Sequence, residues 1–86
     1  MSHAVMYRFE QTAEFFACSA DGRSYHVIEY TKLVNLADAH TPHCWEAVGP
    51  KEYWVRGERV KRISETEFLV GHPRRGQTTV RIVAPS

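Results

Sequence analysis

The sequence predicts a small all-β protein, a meander of five or six short antiparallel strands closing into a small barrel or a two-layered sheet. Three observations lead there. Ala20-Asp21-Gly22-Arg23 carries an Asp-Gly pair between two β-prone runs, and Asp-Gly is among the strongest hairpin signals. Further glycine-marked turns recur at short intervals in residues 51–83. Aromatic residues reach 12% in a chain of 86 residues, and large rings bury much area in a thin core.

The first hairpin spans residues 14–31. Glu14-Phe15-Phe16-Ala17-Cys18-Ser19 leads in, and Tyr25-His26-Val27-Ile28-Glu29-Tyr30-Thr31 returns. With Asp21 and Gly22 at the two centres of a tight turn, Cys18 faces Tyr25, Phe16 faces Val27 and Phe15 faces Ile28. Alternation then groups Phe15, Ala17, His26, Ile28 and Tyr30 on one face, and Phe16, Cys18, Tyr25 and Val27 on the other. Both faces are apolar, unlike a sheet with one face in water. His26, among apolar neighbours, reads as a core or interface histidine bonded to backbone.

Residues 51–70 form two more hairpins. Lys51-Glu52-Tyr53-Trp54-Val55 turns at Arg56-Gly57-Glu58 and returns through Arg59-Val60-Lys61-Arg62-Ile63. Ser64-Glu65-Thr66 is the next turn, followed by Glu67-Phe68-Leu69-Val70. Residues 71–77 hold two glycines and a proline and read as a loop. Thr78–Val83 is a last strand, and Val5, Tyr7 and Phe9 alternate as a first one. Between hairpins, residues 32–50 form a long ordered loop. Leu33, Leu36 and Ala37 are spaced for one helical turn within it. The whole reads as one domain.

Two stretches carry a resemblance. Ser19-Ala20-Asp21-Gly22-Arg23-Ser24-Tyr25-His26-Val27, and Lys51-Glu52-Tyr53 through Gly57, Val60, Ile63 and Glu67-Phe68, resemble a group of short uncharacterised β-rich proteins of proteobacteria. The likeness covers about residues 13–70. This chain departs from it at Arg56, where an aspartate precedes the turn glycine. The resemblance implies a bacterial β-rich domain and carries over no activity and no site residue.

No run approaches the length of a membrane span. Met1–Arg8 has no charged start followed by an apolar core, so a cytoplasmic, reducing setting is expected, with Cys18 and Cys44 as free thiols. Net charge is +1, split as −2 over residues 1–43 and +3 over residues 44–86.

Three sets of residues invite a functional reading. His40, His43 and Cys44 place three zinc-compatible donors within five positions, but no fourth ligand follows at metal-site spacing. A polar loop with a buried cysteine is the plainer account, and neither metal nor cofactor is expected. Tyr53, Trp54, Arg56, Arg59, Lys61, Arg62, Arg74 and Arg75 combine rings and cations, the chemistry by which small β-barrels hold single-stranded nucleic acid. Glu52, Glu58, Glu65 and Glu67 are interleaved with them, and with Arg56-Gly57 at the turn centre Trp54 merely faces Arg59. Tyr25, Val27, Ile28 and Tyr30 lie on the two-faced hairpin and are the candidates for self-association. No nucleophile elbow, phosphate loop or dinucleotide fingerprint occurs, so no enzyme is indicated. The expected function is a non-enzymatic binding or interaction module, a homodimer or the binder of a protein partner. A nucleic-acid-binding barrel ranks second and a metal-binding loop third.

Overall fold

The first hairpin is built on a three-residue loop. The computed structural model describes residues 6–35 and 44–83. In it the Gly22 amide donates to the Ser19 carbonyl at 3.0 Å, and the Ser19 amide to the Arg23 carbonyl at 2.9 Å. Gly22 alone is left-handed, with φ 86°, which makes this a type I turn followed by a glycine bulge. The Ser19 hydroxyl and the Arg23 amide donate to the Asp21 carboxylate. They hold its pKa below the usual range.

This loop corrects the register expected from a two-residue turn. Phe15 pairs with Val27, Phe16 with His26 and Ala17 with Tyr25. A slip of one residue turns side chains to opposite faces. Phe15, Ala17, Tyr25 and Val27 therefore share the inner face, and Phe16, Cys18, His26, Ile28 and Tyr30 the outer one. His26 is exposed, stacked on Phe16 at 4.9 Å and 2.9 Å from a Glu14 carboxylate oxygen; it is not a core residue. A β-branched residue at position 22 has space but not the backbone conformation. Gly22→Val should cost about 1–2 kcal/mol in thermal unfolding.

Seven strands form one antiparallel sheet with no helix among the described residues. They are β1 (Met6–Ser19), β2 (Ser24–Asn35), β3 (Trp45–Ala47), β4 (Glu52–Val55), β5 (Glu58–Arg62), β6 (Glu67–His72) and β7 (Gly76–Ile82). Their order is β1-β7-β6-β5-β4-β2-β3, and β1 also pairs with β2. Six strands thus close a ring, with β3 attached outside it. At the β4–β5 turn Arg56 and Gly57 both take positive φ, 51° and 78°, and Trp54 pairs with Arg59 as the sequence predicts. The segment 32–50 differs from the expected loop. Residues 32–35, Leu33 included, complete β2, and β3 pairs back onto Leu33, Val34 and Asn35. The rest of the proposed helical turn lies outside the described residues. The predicted loop 71–77 shrinks to Pro73, Arg74 and Arg75.

The ring interior is narrow. Ala17, Val27, Val55, Val60, Phe68 and Val80 are buried, with Phe15, Tyr25, Tyr53, Val70 and Ile82 packed against them. β1 reaches β7 only at Ala17, Cys18 and Ser19, and β2 reaches β4 only at Ile28, Glu29 and Tyr30. The remaining lengths of β1 and β2 leave the ring as a long arm, joined near its end by β3. The arm explains the 55 × 35 × 19 Å extents and the 16.8 Å radius of gyration, against about 12 Å for a globular chain of this length. A bulge at Thr12 marks where β1 passes from arm to ring.

Candidate functional site

Three places concentrate chemistry: the polar centre of the ring, the outer face of β4 to β7, and the arm.

The ring centre is organised by Glu29, only 4% exposed. Alternation along β2 brings it inward between Val27 and Thr31. The bulge places Thr12 against it, and the Thr12 hydroxyl donates to Oε1 at 2.7 Å. The Tyr53 hydroxyl donates to Oε2 at 3.1 Å. Lys51 Nζ lies 3.3 Å away and the Arg62 guanidinium 4.0 Å. Burial pushes the Glu29 pKa up. The hydrogen bonds from Thr12, Tyr53 and Lys51, with the charge of Lys51, outweigh it and leave the pKa below the ordinary 4.5. Arg62 continues the network. It donates to Tyr53 Oη at 3.1 Å and to the Ser64 and Glu65 carbonyls. Its guanidinium carbon lies 5.1–5.4 Å from the ring centres of Phe15, Tyr53 and Phe68. Every donor here has a partner, and no buried side-chain polar atom among the described residues is unsatisfied. The cluster ties four strands together.

This arrangement divides the ring-and-cation set predicted from sequence. Tyr53 and Arg62 face inward and are engaged by Glu29, so they are not part of an outer platform. Adjacent strand residues point to opposite faces, and Trp54 is accordingly outside, its indole N–H donating to Glu52 at 3.3 Å. Arg59 and Lys61 share that outer surface across β5. Arg74 and Arg75 stand on the β6–β7 turn, and Arg56 occupies the β4–β5 turn. An open cleft of about 510 Å3 holds Lys51, Arg59, Lys61 and His72, with Tyr53 and Arg62 at its inner wall.

The arm carries three exposed apolar side chains, Met6, Tyr7 and Phe9, which are 59%, 55% and 52% exposed. Its faces are covered by single cations. Arg8 lies 4.3 Å over the Trp45 ring, and Lys32 4.3 Å over the Tyr7 ring on the other side. From Met6 to Phe15, β1 has β2 on one edge and no strand on the other among the described residues. Of the residues expected at a self-association surface, Val27 is fully buried and Tyr25 packs against the core. Ile28 and Tyr30 remain half-buried on the outer face.

Of the three donors expected for metal, His40 and His43 lie outside the described residues. Cys44 is half-buried, and it and Cys18 are free thiols. Among the described residues no three His, Cys, Asp or Glu side chains are grouped to hold a metal ion, and no helix is long and apolar enough to cross a membrane. No sequence pattern announced Glu29. The signal that could have found it is the inward series Val27, Glu29, Thr31, visible only once the turn is read as three residues. Searches of family models, curated proteins and solved structures find no match to this chain.

Proposed function

We propose that the protein is a non-enzymatic interaction module that works as a homodimer, with the free edge of β1 as its contact. The observation that carries this reading is a strand edge with no partner among the described residues, bearing exposed Met6, Tyr7 and Phe9 on an arm with little core of its own. Such edges template pairing with another chain unless they are covered or blunted, and strand addition draws its affinity from main-chain hydrogen bonds. A two-fold pairing of like edges is the commonest closed solution.

Among registers that pair β1 on the N-terminal side of its bulge, the charges favour one. Along one edge, alternate residues turn their N–H and C=O groups outward. Two copies of the same edge can therefore pair only residues whose numbers sum to an even value. A sum of 16 sets Arg8 against Arg8 of the partner subunit, and a sum of 20 sets Glu10 against the partner's Glu10. A sum of 18 pairs Phe9 with the partner's Phe9 and sets Arg8 against the partner's Glu10 twice. Opposite charges directly across strands stabilise, and like charges destabilise, by about 0.2–1 kcal/mol each.

Light scattering on a sizing column should give twice the 9.9 kDa of one chain at micromolar concentration. Arg8→Glu turns two attractive pairs into two repulsive ones. The change is about 2 kcal/mol, or roughly 30-fold in dimer dissociation. Adding Glu10→Arg should restore the dimer. A parent chain that stays monomeric at millimolar concentration refutes the proposal. On the same reading the compartment is cytoplasmic, where Cys18 and Cys44 stay reduced.

A further inference from the structure

The outer surface holds three open clefts in series. The first, about 340 Å3, is formed by Phe9, Tyr30, Glu52 and Trp54. The second, about 510 Å3, shares Glu52 with it and adds Arg59 and Lys61. The third, about 590 Å3, shares Arg59, Gly71 and His72 with the second and adds Arg74 and Arg75. The series runs from an aromatic floor to a basic wall and ends at the tip of the β6–β7 hairpin.

The cations along it differ from those of the ring centre. Lys51 and Arg62 are both paired with Glu29. Arg59, Lys61, Arg74 and Arg75 are exposed and enter no salt bridge among the described residues. Four unpaired cations beside two clefts repel one another until an anion lies between them. The acids on the track are Glu52 and Glu58. Glu52 sits at the joint between aromatic and basic sections, holding the Trp54 indole. There it disfavours a phosphate and offers an acceptor to a base amino group.

We infer that this track binds single-stranded nucleic acid, with bases on Tyr30 and Trp54 and phosphates on Arg59, Lys61, Arg74 and Arg75. Aromatic rings beside a cationic groove are the general solution for a flexible polyanion with flat apolar groups. A duplex hides the base faces that the rings would stack on. An anionic lipid surface would engage the basic tip at Arg74 and Arg75 but leave the Tyr30 and Trp54 rings without a role. The inference does not depend on dimerisation, because Trp54 and the four cations lie on the ring, and of the track only Phe9 belongs to the β1 edge.

The test is fluorescence anisotropy of a labelled thymidine oligonucleotide of about twelve nucleotides, titrated with the full chain at several salt concentrations. Four phosphate contacts predict that log K falls with log salt at a slope of about −3, and Arg74→Glu with Arg75→Glu should halve it. Trp54→Ala should weaken binding about tenfold and leave the slope unchanged, since stacking carries no counterion. Tyr30→Ala, read in the same way, serves if loss of Trp54 unfolds the chain. Heparin, a polyanion without bases, should bind more weakly and be indifferent to Trp54→Ala. The inference is overturned by no binding at about 20 mM salt, by heparin binding as tightly as the oligonucleotide, by stacking variants without effect, or by anionic phosphatidylglycerol vesicles displacing the oligonucleotide.

Discussion

Glu29→Ala is expected to lower the melting temperature by roughly 15 °C, from a loss of about 3 kcal/mol in a domain where each kcal/mol moves the midpoint by about 4–8 °C. The carboxylate is almost wholly buried and accepts hydrogen bonds from Thr12 and Tyr53 while facing Lys51 and Arg62. Removing it leaves the Arg62 guanidinium among three aromatic rings with no anion, and Tyr53 loses an acceptor. Breaking a buried pair from one side costs more than the pair contributes, because the remaining charge stays desolvated. The same group gives a pH signature. Its pKa in the folded chain lies below the ordinary 4.5, so its contribution is complete above about pH 4.5 and is lost as pH falls through the folded value. Melts of the parent and of Glu29→Gln should therefore differ at pH 7 and converge in acid. A difference that stays constant down to about pH 3 would show that the ionised carboxylate is not what holds the ring centre.

The turn chemistry and the strands were legible, and the faces were not. Asp21-Gly22 marks a hairpin, but the pair suits both a two-residue turn and a three-residue loop ending in a glycine bulge. The choice moves every side chain from Tyr25 to Thr31 to the opposite face relative to Phe15 and Ala17. Arg56-Gly57 leaves no such ambiguity, and the Trp54–Arg59 pairing follows directly. The bulge at Thr12 has no glycine or proline to announce it, so β1 reads as a short first strand and a separate second one. Leu33 sits at helical spacing from Leu36 and Ala37, yet its place in β2 is set by β3, a partner more than ten residues away. Non-local pairing of this kind overrides local periodicity. The split of Tyr53 from Trp54 was available from the two-residue period of a strand. What period alone could not supply is that the inward member would meet a glutamate.

The self-association proposal fixes a register, and a register can be read by cross-linking. In a Cys18→Ser, Cys44→Ser background, Phe9→Cys places one thiol on each side of the two-fold axis. Directly opposed residues of an antiparallel pair have Cα atoms about 4.5–5.5 Å apart, within the span a disulfide bridges. Tyr7→Cys in the same background is the control. Position 7 then lies opposite position 11 of the partner, so its own copy is four residues away, about 13 Å and out of reach. The measurement is mild oxidation at micromolar concentration followed by non-reducing electrophoresis. The account predicts a covalent dimer for Phe9→Cys, none for Tyr7→Cys, and loss of the Phe9→Cys dimer when Arg8→Glu is added. Equal cross-linking of both variants, or cross-linking of Tyr7→Cys alone, would contradict the pairing about Phe9 and with it the β1 edge as the contact in this register.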